Sequence, residues 1–184
     1  GTRGERGWPW TTVKATYGKQ QKSWGFGRTL MAMDLKSREV LWSKKEEHPI
    51  DSRATSMSGE RIFVFSHGKF LAAIDAKNGK DAWRTDSAAV LNAVGEHDPA
   101  DNPRLGYSTS VYMKSTDEAI FFAGPQRKKL AAVSAKNGQL LWSYDDGNMQ
   151  LIIRPDGLYA MGRMQTSKKF DPLTGEILAD LQCF

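Results

Sequence analysis

The residues best placed to do chemistry stand close together: Glu96, His97, Asp98 and Asp101, with Arg104 and Tyr107 just behind them. A histidine flanked by carboxylates can carry a proton or join the carboxylates around a divalent ion. Arg104 and Tyr107 are placed to contact a ligand at the same loop. The stretch Ser87–Gly106 reads as an insertion containing Gly95, Pro99 and Pro103. Long insertions on a regular scaffold are where binding residues gather. A polar surface loop explains the same composition without a ligand. His97, Asp98, Arg104 and Tyr107 are therefore ligand-contact candidates only. No residue is assigned a catalytic, metal-binding or cofactor-binding role.

The remaining candidates reduce to structure. His48 and His67 have no partner at metal-ligand spacing, and Ser66-His67-Gly68 reads as a hairpin turn. Asp145-Asp146-Gly147-Asn148 lacks the spaced acids and distal glutamate of a calcium loop, and also reads as a turn. No phosphate-binding glycine loop, Gly-x-Ser-x-Gly elbow or His-Glu-x-x-His occurs. The single cysteine, Cys183, can form no intrachain disulfide and no Cys-x-x-Cys metal or haem site.

Composition narrows the class. Hydrophobic residues at 40% and charged residues at 26% suit a soluble folded chain. No apolar run approaches the roughly 18 residues of a membrane span, and Gly1–Gly7 has no apolar core of the signal-peptide kind. The net charge of +5 is spread over short groups such as Lys44-Lys45, Lys168-Lys169 and Arg127-Lys128-Lys129. These read as solvated strand ends and turns, so no nucleic-acid partner is expected.

An internal repeat carries the strongest signal. Leu30–Trp42 (LMAMDLKSREVLW), Leu71–Trp83 (LAAIDAKNGKDAW) and Leu130–Trp142 (LAAVSAKNGQLLW) align, with a weaker fourth copy at Thr166–Ala179 (TSKKFDPLTGEILA). The first aligned place holds Asp34, Asp75, Ser134 and Asp171. Four places on stand Arg38, Gly79, Gly138 and Gly175. Eight places on stand Trp42, Trp83, Trp142 and Ala179. Each unit reads as strand, turn, strand. The aspartate is expected to accept turn amides, and the glycine to supply positive φ between two alternating segments. The tryptophan, at one fixed place per unit, suits packing between adjacent sheets. Trp8, Trp10 and Trp24 fall outside these places and read as strand or packing aromatics.

Upstream of the hairpins, Arg61–Ser66, Ala119–Ala123, Met149–Arg154 and Gly157–Met161 read as further strands, so the unit is four short antiparallel strands. The tryptophans lie 41 and then 59 residues apart, the longer step holding the insertion. A period near 40 with four strands is a propeller blade. The expected fold is all-β: a propeller of about four blades, 1–47, 48–86, 87–145 with the insertion at 87–106, and 146–184, forming one domain.

The unit Ala-x-Asp-x-x-Thr/Asn-Gly-x-x-x-Trp resembles the tryptophan-docking repeat of the PQQ quinoprotein propellers, over roughly Trp10 to Leu181. Its BamB-like branch is a closer match than its dehydrogenase branch. Dehydrogenases of that superfamily pair adjacent cysteines beside PQQ and calcium, which the lone Cys183 cannot do. The resemblance implies a non-catalytic binding or scaffolding propeller with a protein or glycan partner, in a periplasmic or otherwise extracytoplasmic place. Its alternative is a segment of a PQQ-dependent alcohol or sugar dehydrogenase, with PQQ and calcium. It also implies a ring of seven or eight blades, about 300 residues at roughly 40 each, so four blades would need others to close.

Overall fold

In each repeat the chain turns back on itself through the same small set of bonds. Asp34 Oδ1 accepts the amides of Lys36 and Ser37 at 2.9 and 2.7 Å, and Asp171 Oδ1 those of Leu173 and Thr174 at 2.9 and 2.8 Å. These backbone bonds hold both carboxyls below their ordinary range. Asp75 takes the amide of Lys77, and Ser134 uses its hydroxyl on the amide of Lys136. The amide of the fourth residue on then donates to the carbonyl of the first, at 2.8–3.0 Å in all four units. Only that fourth residue has positive φ: +64° at Arg38, and +73°, +74° and +75° at Gly79, Gly138 and Gly175. A two-residue Asn-Gly turn would need positive φ at both residues. The hairpin expected at Asn-Gly therefore forms, but through this wider turn.

The computed structural model describes residues 26–95, 111–162 and 166–182. Strands β3 (Thr55–Ser58), β4 (Arg61–Ser66), β5 (Phe70–Asp75) and β6 (Asp81–Thr85) form one antiparallel four-stranded sheet in chain order. The next sheet is β7 (Met113–Ser115), β8 (Ala119–Phe122), β9 (Leu130–Ser134) and β10 (Leu140–Tyr144). The last is β11 (Gln150–Arg154), β12 (Gly157–Met161), β13 (Lys168–Phe170) and β14 (Ile177–Asp180). Preceding all three, β1 (Phe26–Met33) and β2 (Val40–Asp51) pair as a two-stranded sheet among the described residues, where a four-stranded unit was expected. These are sheets 1 to 4 in chain order, β1–β2 first.

The tryptophan of one sheet lies on the turn of the next. Indole Nε1 of Trp42 donates to the carbonyl of Ala76 at 2.8 Å, Trp83 to Ala135 at 2.9 Å, and Trp142 to Pro172 at 3.0 Å. A Cβ on Gly79, Gly138 or Gly175 would come within 2.6–2.7 Å of the ring above it. The glycine thus serves two needs at once, positive φ and a flat seat for the indole. Deeper in, Phe63, Phe65, Phe121, Phe122 and Phe170 are fully buried. Phe65 meets Phe122 edge to face across sheets 2 and 3 with ring centroids 5.5 Å apart.

The segment from Ser87 onward is not wholly a loop. Helix α1 (Ala88–Val94) ends at Gly95, whose amide donates to the Leu91 carbonyl at φ +102°. Val90, Ala93 and Val94 bury in the core shared by sheets 2 and 3. Alanine, valine and leucine at this spacing give one apolar face, a short signal inside a stretch read as insertion.

Candidate functional site

First strands gather at the centre. Ser56 and Ser58 of β3 reach Ser115 and Asp117, at the end of β7, through hydroxyl bonds of 2.7 and 2.6 Å. Lys114 Nζ of β7 donates to the Leu151 carbonyl of β11 at 2.8 Å. Because the strands alternate in direction, the connections β2–β3, β4–β5, β6–β7 and β8–β9 lie at one end of the sheets. The aspartate-glycine turns lie at the other.

The first end holds a buried polar cluster. Asp51 is fully buried and ends β2. Its Oδ1 accepts the amide and Nε of Arg53, at 3.0 and 2.9 Å. Its Oδ2 accepts Arg53 Nη2 at 2.7 Å and the Tyr112 hydroxyl at 2.9 Å, and lies 2.9 Å from His67 Nε2. Arg127 stacks its guanidinium 3.5 Å from the Tyr112 ring centroid and donates to the Val94 carbonyl at the end of α1. Burial pushes the Asp51 carboxyl up, but the bonds from His67 and Arg53 outweigh it and hold it well below the ordinary range. Burial, then the Asp51 charge, push the Tyr112 phenol well above 10.0. The cluster therefore joins four connections of sheets 2 and 3 and the exit of α1 through one ionised carboxylate.

None of these partners was legible as a set. His67 read as an unpartnered turn residue, and Arg127 as part of a solvated basic run, yet Arg127 is 5% exposed. The members are separated by up to 76 residues, and only the four-stranded repeat brings the connections together. The signal that existed was positional: His67 and Arg127 lie in connections between predicted strands on one side of the sheets.

Beside the cluster runs a groove of about 380 Å³ between the inner strands of sheets 3 and 4. Val111, Tyr112, Lys114, Pro125, Gln150 and Ile152 line it. Val111, two residues before β7, is 61% exposed, and Ile152, on β11, is 50% exposed. Met57, on β3, is 60% exposed on the neighbouring central strand. A single cation and several apolar walls suit an extended polypeptide more than a small charged molecule. Among the described residues no three His, Cys, Asp or Glu side chains converge as a metal ion would require.

The ligand-contact candidates His97, Asp98, Arg104 and Tyr107 lie outside the described residues, as do Glu96, Asp101, Trp8, Trp10, Trp24 and Cys183. The motif residues Asp34, Asp75 and Asp171, the tryptophans Trp42, Trp83 and Trp142, and the glycines Gly79, Gly138 and Gly175 hold the turns and sheet junctions described above. Asp145–Asn148 forms a turn, with the Asn148 amide on Asp146 Oδ1 at 3.1 Å.

Comparison with known proteins fits this geometry. Residues 27–179 match a protein family described as "Outer membrane protein assembly factor BamB". The quinoprotein ethanol dehydrogenase of Pseudomonas aeruginosa is 34% identical over 56 residues, 30% of this chain and 9% of that protein. BamB of Moraxella catarrhalis superposes with a TM-score of 0.52 at 16% identity, covering 85% of this chain and 49% of that one. The quinohemoprotein alcohol dehydrogenase of Comamonas testosteroni superposes with a TM-score of 0.55 at 11% identity, covering 84% of this chain and 32% of that one. At such identities the structures establish a shared propeller fold. The chain spans about half the length of the Moraxella protein and far less of the dehydrogenases.

Proposed function

This chain belongs to the family of the outer membrane protein assembly factor BamB, matched over residues 27–179, and from that premise we propose that it is a non-catalytic propeller that binds an extended protein segment. The observation that carries the reading is the central groove, where Val111 and Ile152 stay exposed between the first strands of sheets 3 and 4. Exposed apolar side chains beside strand edges that pair with no further strand among the described residues favour a polypeptide that adds main-chain bonds and inserts alternate side chains. An extracytoplasmic place belongs to the same reading and rests on the family's outer-membrane description. No helix among the described residues is long and apolar enough to cross a membrane.

A second reading has one specific support, the 56-residue match to the quinoprotein ethanol dehydrogenase. In it the chain is part of a PQQ-dependent alcohol or sugar dehydrogenase. Titrating the folded chain with PQQ plus calcium, followed by quinone absorbance and tryptophan fluorescence, separates the two. The binding-propeller reading expects no saturable change. Saturable one-to-one binding would replace it with the dehydrogenase.

A further inference from the structure

The end of the sheets that carries the aspartate-glycine turns has a groove of its own. It is about 710 Å³ and runs from sheet 2 across sheet 3 to the turn of sheet 4. Its inner end is built by the turns that follow the central strands β3 and β7, where Glu60, Asp117 and Glu118 stand exposed. Ser58 donates to Asp117 Oδ1 at 2.6 Å, and a Cβ on Gly59, at φ +54°, would come within 3.1 Å of the same oxygen. The two turns are thus packed directly on each other. Glu60 is paired with Lys77, whereas Asp117 and Glu118 are in no ion pair among the described residues. Two cations also line the groove. Arg61 is committed to the Ala135 carbonyl at 2.8 Å, the same oxygen that takes the Trp83 indole, and Lys136 stands on the turn of sheet 3. The outer end is apolar. Leu141, on the outermost strand β10, is 40% exposed, and Leu173, in the turn of sheet 4, is 41% exposed. Leu173 departs from the repeat: the same turn place holds Lys36, Lys77 and Lys136 in the other three units.

We propose that this groove docks a basic, apolar segment of a partner protein. A lysine or arginine of the partner lies against Asp117 and Glu118, and an apolar side chain covers Leu141 and Leu173. Charge complementarity selects this occupant. Two neighbouring carboxylates without a cation of their own repel each other, and a cationic side chain placed between them turns that repulsion into attraction. The apolar end selects a polypeptide over a bare cation, which would leave Leu141 and Leu173 in water. The groove opens at the opposite end of the sheets from the one between β7 and β11, so the two sites are independent. A chain occupied at both ends links two polypeptides.

The test is fluorescence anisotropy of a labelled peptide of alternating lysine and leucine, titrated with the full chain and with its Ile152→Asp variant. Saturable binding to both is expected. Glu118→Lys and Leu173→Lys are each expected to weaken it at least about fivefold. Leu173→Lys installs the residue that the other three units carry, and Glu118 is exposed and in no ion pair, so both variants should unfold at the wild-type midpoint. Salt at about 1 M, where the Debye length is about 3 Å, is expected to weaken binding to the wild type as well. A glutamate-leucine peptide of the same length is expected not to saturate. No saturable binding of the lysine-leucine peptide to the folded wild type would overturn the proposal, and so would equal affinity for the two peptides. Binding that Ile152→Asp abolishes while Glu118→Lys and Leu173→Lys leave it unchanged would also overturn it. That last result would keep the groove between β7 and β11 as a peptide site, and so separates the failure of one site from the failure of the other.

Discussion

The buried carboxylate of Asp51 is the residue on which the first end of the propeller depends. It takes bonds from Arg53, His67 and Tyr112 with no exposure to solvent, and removing one member of such a set leaves buried charge uncompensated. Asp51→Asn is expected to cost about 3 kcal/mol or more in denaturant unfolding at neutral pH. The pH dependence has a definite sign. Folding lowers the Asp51 pKa from 3.8, so the shift contributes stability that is complete above pH 3.8 and fades as pH falls toward the depressed folded value. The gap between wild type and Asp51→Asn should therefore hold from neutral pH to about pH 4 and narrow below it. A gap that widens on acidification would mean that the carboxylate is not the charged centre of the cluster. Asp51 itself gave no sign in the sequence, because its value comes from Arg53 beside it and from His67 and Tyr112 on two other connections.

At the scale of elements, the hairpin turn and the tryptophan above it form one unit. Gly138→Ala would place a Cβ 2.6 Å from Trp83 at φ +74°. It is expected to cost about 2–4 kcal/mol, from the left-handed strain and the displaced ring together. Arg38→Gly, at the same turn position but with no ring above it among the described residues, should change stability by less than about 1 kcal/mol. Thermal or urea unfolding of the pair checks both, and equal effects would show that the ring contact contributes nothing. The hairpins were legible because aspartate, glycine and tryptophan recur at fixed offsets, and each residue type has one local task. Helix α1 was less legible. Its seven residues are too few to outweigh the proline- and glycine-bearing stretch that follows, and what holds Val90 and Val94 is the core of sheets 2 and 3. The turn geometry was half legible: Asn-Gly marks a hairpin, but the aspartate four places earlier widens it.

At the scale of the molecule, repetition made the propeller readable while the site stayed hidden. A repeat reports what each blade shares, and a binding surface is made of what the blades do not share. Val111 and Ile152 occupy no common repeat position, and their exposure follows from β7 and β11 facing the centre of the assembly. The three-residue β7 also leaves little sequence from which to read a face. The chain covers 49% of the Moraxella BamB chain, so the surface described here is a portion of the surface such a ring presents.

The groove between β7 and β11 is the surface proposed to take an extended polypeptide. The direct measurement is fluorescence anisotropy of a labelled extended peptide with alternating apolar and polar side chains, titrated with the wild-type chain and with Ile152→Asp. Saturable binding to wild type is expected, with at least about tenfold weaker binding to Ile152→Asp, roughly 1.4 kcal/mol, and the fold of the variant unchanged by circular dichroism. Absence of saturable binding to the folded wild type, or equal affinity for both proteins, would contradict it.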